Sequence, residues 1–413
     1  MVSKRLLLFA ATTGYQIREF AHAARRLGFE LTLATDHCHR LEDPWGDRAI
    51  PVKFDRIEES LALLRGREFD GVAAVGDGPA VLAAAAAEAL GIPFHSLAGA
   101  RACQDKFLAR QLYQAAGLPV PRFFRATIDE DARAMARRAP FPCVLKPLGL
   151  SASRGVIRAN GETEFIAAFE RIRKLLETSH DLRRRRLRHL QVEDYIPGRE
   201  FAIEGLVTHG ELRAFAIFDK PDPLEGPFFE ETIYVTPSRL PDEVQRALMD
   251  TTARAVRALG LRHGPVHAEL RHNETGPWML ETAARPIGGL CARALRFRGG
   301  TPLEEVILRH AVGEDVGAAP LEGPACGVMM IPIPGGGVYQ SVEGVESAAA
   351  LPGVEDVIIT AQAGQRMVPL PEGSSYLGFI FARAGAPEEV ETALRRAHAD
   401  LRFQIATALD TFA

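Results

Sequence analysis

Residues 264–289 read GPVHAELRHNETGPWMLETAARPIGG, and the reading of this stretch decides the fold. Two short extended runs, 266–270 and 278–282, carry Glu269 and Glu281, with Asn-Glu-Thr-Gly between them. Asparagine and glycine tolerate the positive φ of tight hairpin turns. Folded back on that turn, the two glutamates fall on the same or neighbouring rungs, near enough to share a cation. Side chains alternate faces along a strand, so Glu281, Ala283 and Arg285 point the same way. Two carboxylates and a guanidinium on one surface offer hard oxygen ligands with room for phosphate. That is what Mg²⁺ bound to a nucleotide requires. A surface hairpin with scattered charges is the competing reading, and the rest of the chain decides between them.

Composition narrows the classes. At 413 residues the chain is long enough for two to four domains with substantial cores. With 47% hydrophobic and 25% charged residues it is an ordinary globular protein rather than a largely disordered one. A net charge of −4 gives no reason to expect nucleic acid as a partner. The arginine run at 183–186, with Arg188 beyond it, lacks interleaved aromatics and reads as a solvated turn or helix end. The cysteines, Cys38, Cys103, Cys143, Cys291 and Cys326, are odd in number and lack CxxC spacing, which suits reduced thiols in a cytoplasmic protein. The N-terminal MVSKRLLLFAATTG is like a secretory signal only in passing, because its apolar core at 6–11 is too short and a helical pattern follows at once. No run approaches about twenty apolar residues, so no membrane span is expected.

Residues 5–10 (RLLLFA) form a buried strand, followed by a Thr-Thr-Gly turn and a helix at about 15–27. Strands at 30–34, 49–53 and 71–75 and helices at 56–66 and 79–90 continue the alternation. Continuous apolar strands between helices imply a parallel sheet covered on both faces. Residues 1–98 are therefore expected to be a Rossmann-like domain, although the turn lacks GxGxxG and gives no support for dinucleotide binding. His37-Cys38-His39 is not read as a metal site, since adjacent residues cannot easily all face one ion.

A helix from Arg101 carries Asp105 and Lys106, and another is expected at 128–139. The strand 141–147 (FPCVLKP) ends at Lys146, and the loop LGLSASRGV holds Gly149, Ser151, Ser153, Arg154 and Gly155 before a strand returns. Such a flap could cover phosphate oxygens with backbone N–H groups, while the lysine supplies positive charge. After a helix at 162–178, the strand 191–196 (QVEDYI) meets Pro197-Gly198, and Glu200 opens the strand 201–207. Glu193 and Glu200 thus bracket a turn that reads either as an exposed hairpin or as a hinge meeting a purine and its ribose. Residues 218–240 are expected to form a long irregular loop with Glu230 and Glu231, the kind of loop that is usually functional. A helix at 241–259 leads into the organising hairpin. Beyond a helix at 302–312 and a Gly/Ala/Pro-rich linker at 314–325, a small separate α+β domain is expected.

In this order the pieces resemble the ATP-grasp superfamily of carboxylate–amine ligases: Lys106, the VLKP strand, the Gly/Ser flap, VEDYIPGRE, and paired glutamates ending in E-x-x-x-R. The Pro-rich loop and the C-terminal VMMIPIPGGG, LPGVEDV and YLGFIFARAG look more narrowly like bacterial L-amino acid ligases, the dipeptide-forming branch. The resemblance implies an α/β and α+β multidomain protein: a Rossmann-like domain at 1–98, an ATP-grasp domain at 99–315 with its lid at about 120–192, and a C-terminal α+β domain at 316–413. It implies that Lys106, Lys146, Ser151, Ser153, Arg154 and Gly155 hold the ATP phosphates. Glu193 and the backbone at Ile196 would meet adenine and Glu200 the ribose, with Tyr195 also among the ATP-binding residues. Glu269 and Glu281 would coordinate Mg²⁺, for which Mn²⁺ could substitute. Arg285 would face the transferred phosphate, and Glu231, Tyr234 and Gly288 would lie at the amino acid substrates. One departure stands out: family members commonly show E-x-N-x-R, and Ala283 replaces the asparagine here. The resemblance also allows a homodimer.

The implied function is an ATP-dependent ligase that forms an amide between an amino acid carboxylate and an amine through an acyl phosphate, releasing ADP and phosphate. Glu231 is the candidate general base. Two alternatives stand beside it: an ATP-grasp ligase for a non-amino-acid carboxylate, such as a phosphoribosylamine–glycine ligase or a carboxylase, and a non-catalytic ATP-binding protein. No Met-Lys-Met tract for a biotin carrier is present in the sequence.

Overall fold

The computed structural model describes residues 3–11, 14–36, 49–179, 182, 187–317 and 320–407. The His37-Cys38-His39 cluster and the arginine run at 183–186 lie outside them.

The chain opens with parallel strands β1 (Arg5–Ala10), β2 (Glu30–Thr35), β3 (Ala49–Pro51) and β4 (Gly71–Val75), in the order β3-β2-β1-β4. Beyond Arg5, strand β1 is apolar because both of its faces are covered. Leu7 and Phe9 enter one core, while Leu6, Leu8 and Ala10 enter another. Helix α1 (Ile17–Leu27) and helix α3 (Asp77–Leu90) flank it, with the short α2 (Ile57–Ala62) before β4. The alanines of α3 let it lie close to its neighbours, and residues from Pro79 to Ala87 are all buried.

The single helix expected around Asp105 is two: α4 (Leu97–Gln104) and α5 (Lys106–Ala115). Asp105 breaks them by taking an extended conformation, and its side chain accepts from the N–H groups of Phe107 and Leu108 at 3.0 and 3.1 Å. An N-cap aspartate is the physical reason for a fresh start there. The lid is an antiparallel sheet of β5 (Phe123–Thr127), β6 (Cys143–Pro147), β7 (Ile157–Ala159) and β8 (His189–Asp194), ordered β5-β8-β6-β7. Helix α6 (Ala132–Ala136), shorter than expected, and α7 (Glu162–Thr178) cover one face through Phe165, Phe169, Ile172 and Leu176.

The largest sheet contains β9 (Arg199–Thr208), β10 (Glu211–Asp219), β11 (Ile233–Thr236), β12 (Gly264–Asn273) and β13 (Gly276–Ala283), backed by α8 (Asp242–Ala258). A two-stranded pair, β14 (Arg296–Phe297) with β15 (Thr301–Pro302), and helix α9 (Leu303–Ala311) follow. The C-terminal residues supply β16 (Ala325–Ile331), β17 (Gly337–Glu343), β18 (Val354–Ile359), β19 (Arg366–Met367), β20 (Gly378–Ala384) and β21 (Arg402–Ala406), with helices α10 (Val345–Ala349) and α11 (Pro387–Asp400).

Two expectations change here. The loop 218–240 is not wholly irregular, because its residues Ile233–Thr236 form β11. The C-terminal α+β region is not set apart from the preceding sheet but continuous with it: β11 pairs with β16, giving one eight-stranded sheet, β13-β12-β9-β10-β11-β16-β20-β18. Four buried residues, Ile233 to Thr236, join the two regions. The smaller sheet β19-β17-β21 sits beside it. Cys103, Cys143, Cys291 and Cys326 are free and buried. Among the described residues, no helix is long and apolar enough to cross a membrane.

Candidate active site

The β12–β13 hairpin is as expected, with Glu269 and Glu281 as direct register partners. Its turn is locked locally: the Thr275 N–H donates to Asn273 Oδ1 at 2.9 Å, and Gly276 takes φ +106°. The neighbouring Pro-Gly turn needs its glycine, since Gly198 has φ +114° and a Cβ there would lie 2.3 Å from the His272 carbonyl oxygen. Above the hairpin lies a cavity of about 360 Å³ bounded by the lid, the N-terminal sheet and the C-terminal strands.

Lys106, at the start of α5, bridges floor and flap. Its Nζ lies 3.2 Å from Glu281 Oε2 and donates to the Leu150 carbonyl at 2.7 Å. Lys146, at the end of β6, sits 2.5 Å from Glu193 Oε1. Glu193 in turn accepts from Arg110 Nε at 2.8 Å, from Arg110 Nη2 at 3.2 Å and from Gln191 Nε2 at 2.6 Å. Its oxygens are therefore committed to anchoring Lys146 and are not free for a purine. Burial opposes charge on Glu193, yet Arg110 and Lys146 outweigh it and bring the carboxyl down to about 2.

The flap divides. Ser151 and Ser153 line the cavity. Arg154 and Gly155 do not line it; their turn faces the 369–374 segment, where the Gly155 N–H donates to the Pro371 carbonyl and Arg154 Nε to the Glu372 carbonyl, each at 2.8 Å. Gly155 adopts φ +73°, and a Cβ there would press on Pro147 Cγ at 2.7 Å. The flap is thus tied to the C-terminal region.

Tyr195 and Ile196 follow β8 and line the cavity. The Tyr195 ring lies under Arg158 at 4.0 Å, and the Ile196 carbonyl accepts from Arg271 Nη1 at 2.8 Å. Glu200 is 8% exposed and pairs with Lys220 at 2.8 Å and with Arg271 at 3.1 Å. Lys220 also contacts Glu231, and its Nζ lies 3.3 Å from Glu269. Tyr234 presents its ring 5.0 Å from the same ammonium. Gly288 lines the cavity with open space around it, since a Cβ there would have no neighbour within 4 Å.

Arg285 Nε donates to Asp77 Oδ1 at 2.8 Å, and its Nη1 to the Pro286 carbonyl at 3.0 Å. Burial works against the Arg285 charge, but Asp77, then Glu281 and Glu269, hold its pKa above the ordinary arginine value. Burial likewise raises Glu231, helped by Glu269 and opposed by Lys220, to about 7. Glu269 goes the other way: despite burial, Lys220 and His267 hold it well below the usual carboxylate range. His267 donates toward Glu204 at 3.2 Å and lies 3.5 Å from Glu269. Burial lowers its pKa, but these carboxylates prevail and raise it to about 9, so it is an imidazolium at neutral pH.

Sequence reasoning missed Lys220, Arg271, His267, Arg110 and Asp77. For two of these the signal was present. His267, Glu269 and Arg271 alternate along β12, so the argument that grouped Glu281, Ala283 and Arg285 applies equally to them. Asp77 and Arg110 gave no such signal, because their partners lie 208 and 83 residues away.

The donors fit a hard divalent cation. Glu269 and Glu281 are register partners on adjacent strands, and Glu200, Glu231 and Glu269 hold ligand atoms within 4.8 Å of one another. Each of these four carboxylates already has a cationic side chain beside it, which marks a site built to balance charge that arrives and leaves.

Residues 139–294 match the model of the ATP-grasp domain, residues 21–94 that of the ATP-grasp N-terminal domain, and residues 329–406 that of L-amino acid ligase C-terminal domain 2. The chain is 27% identical over 308 residues to protein y4rH of Sinorhizobium fredii, covering 75% of this chain and 62% of that one. It is 29% identical over 221 residues to alanine–anticapsin ligase of Bacillus subtilis, covering 50% of this chain and 46% of that one. It thus spans less than two thirds of either relative's length. The crystal structure of L-amino acid ligase from Bacillus licheniformis superposes with a TM-score of 0.83 at 26% identity, covering 98% of this chain and 99% of that one.

Proposed function

We propose that this chain, an ATP-grasp protein with the C-terminal domain of L-amino acid ligases, joins an amino acid carboxylate to an amine at the expense of ATP. The observation that carries this reading is the cross-strand pair Glu269 and Glu281, with Arg285 beyond the strand and Lys106 linking the pair to the flap. Likeness to the Bacillus licheniformis ligase along nearly the whole of both chains supports the amino acid substrate class.

A carboxylate does not accept an amine at neutral pH, because oxide is too poor a leaving group. Phosphoryl transfer from ATP converts it to an acyl phosphate, from which phosphate departs readily. Lys106, Lys146, Lys220 and Arg285 offset the charge that moves between the anionic groups. Glu269 and Glu281 would hold magnesium or manganese, which when bound supplies further charge neutralisation at the phosphates. Asp77 fixes the Arg285 guanidinium, and the flap excludes water that would hydrolyse the acyl phosphate. The amine attacks the acyl carbon, the carbon–oxygen bond to phosphate breaks, and Glu231 accepts the proton. A Glu231→Gln variant with full turnover would remove that last assignment.

Hydroxylamine tests the intermediate. Enzyme with ATP, a divalent cation and the correct amino acid should form its hydroxamate together with ADP. ADP formation without hydroxamate would contradict an acyl phosphate.

A further inference from the structure

The N-terminal domain, which sequence reasoning left without a part in the chemistry, helps to wall the cavity. Gln16, immediately before α1, lines it and is only 1% exposed. Its Nε2 donates to the Ile287 carbonyl at 2.5 Å, across 271 residues of chain. That contact fixes the orientation of the amide, because the reversed amide would set two carbonyl oxygens against each other. Gln16 Oε1 is left buried with no hydrogen-bond partner among the described residues. A buried acceptor without a donor is costly, and native structures seldom keep one without a reason.

The surroundings are otherwise satisfied. The Ile287 N–H is engaged by the buried Glu204 at 3.1 and 3.2 Å, and the Gln16 main-chain carbonyl accepts from Phe20. The neighbouring Tyr15 packs edge-on against Phe379. Ile287 lies two residues past Arg285, so Gln16 braces the segment that follows the phosphate-facing arginine. What remains unfilled is one buried acceptor on a residue that lines the cavity.

We propose that Gln16 is a substrate-binding residue whose Oε1 accepts a hydrogen bond from the amino nitrogen of an amino acid substrate. The inference rests on the ligase reading above. The nitrogen could belong to the amino acid whose carboxylate is activated or to the attacking amine, and the experiment separates these.

The test is Gln16→Met in the full chain, assayed by phosphate release with each substrate varied in turn. The KM for one amino acid should rise about tenfold, the size of one lost hydrogen bond, while the KM for ATP stays unchanged. If the contact is to the activated amino acid, replacing that substrate by its des-amino carboxylic acid should abolish the difference between variant and wild type. If it is to the attacking amine, the rise should track the amine and persist with the des-amino acid. Unchanged KM values for both substrates in folded Gln16→Met would overturn the proposal and leave Oε1 satisfied by water. Should Gln16→Met not fold, Gln16→Asn, which withdraws the amide by one methylene, carries the same test. A wild-type protein with no amino-acid-dependent phosphate release would instead refute the ligase reading, and this inference with it.

Discussion

Asp77 Oδ1 holds Arg285 Nε at 2.8 Å, so the arginine expected to face the transferred phosphate is aimed by the first turn of an N-terminal-domain helix. Burial opposes charge on Asp77, but Arg285, with Lys106 and His267 behind it, keeps the carboxyl below its ordinary value. Asp77→Asn keeps an acceptor oxygen and loses the charge. It should lower kcat on the order of ten- to a hundredfold, with a smaller change in the KM for ATP. Steady-state kinetics check this, and wild-type kcat in the variant would remove Asp77 from the site.

Lys220 is the counter-ion of three carboxylates, Glu200, Glu231 and Glu269. Lys220→Met leaves Arg271 beside Glu200 and His267 beside Glu269 but strips Glu231 of its cation, which should destabilise the protein by about 3–5 kcal/mol. Because the ligand atoms lie within 4.8 Å of one another, magnesium or manganese should raise the melting temperature more in the variant than in the wild type. Thermal melts with and without the ion measure both effects. Equal responses would mean that Lys220 is not the group balancing these charges.

The hairpin was legible because its chemistry is local: two acids, a turn and an alternating strand fix which side chains share a face. The parallel N-terminal sheet was legible for the same reason, since β1 is apolar on both faces. What escaped was set by partners distant in sequence. Glu193 looked like a purine contact because nothing near it reveals Arg110, 83 residues earlier. The continuity of the C-terminal region with the larger sheet was hidden because the strand that joins them, Ile233–Thr236, is four residues long and lies in a proline-rich stretch. Nothing near Arg154 and Gly155 in the sequence reveals the Pro371 and Glu372 carbonyls that accept their hydrogen bonds.

Ala283 lines the cavity and is 3% exposed, at the position where the E-x-N-x-R pattern would place asparagine. Ala283→Asn would return an oxygen ligand beside Glu281. The half-saturating magnesium concentration for ATP turnover should fall several-fold, as expected when a hard ion gains a ligand. A magnesium titration that is the same in both proteins would show that position 283 does not reach the ion.

A histidine cluster away from the cavity should make the fold acid-sensitive. The rings of His263 and His310 stack at 3.9 Å, and the buried His95 donates through Nε2 to the Pro265 carbonyl at 2.9 Å. Burial lowers His95 to about 4, and burial with His263 lowers His310 to about 4. The unfolded chain takes up these protons first, near pH 6.5, so the contribution to stability is complete above that pH. It is lost as pH falls from about 6.5 towards 4, by up to about 3 kcal/mol for a fully buried ring. Denaturant unfolding across this range should show the loss, and His310→Gln should flatten it. Stability that is level between pH 7 and 4.5 in the wild type would contradict the assignment.

The most direct measurement is phosphate release with magnesium and ATP over a matrix of amino acid pairs, run beside Glu281→Ala. Release that requires two amino acids in the wild type and is absent from the variant is the predicted result. ATP binding without release from any pair would contradict an amino acid ligase.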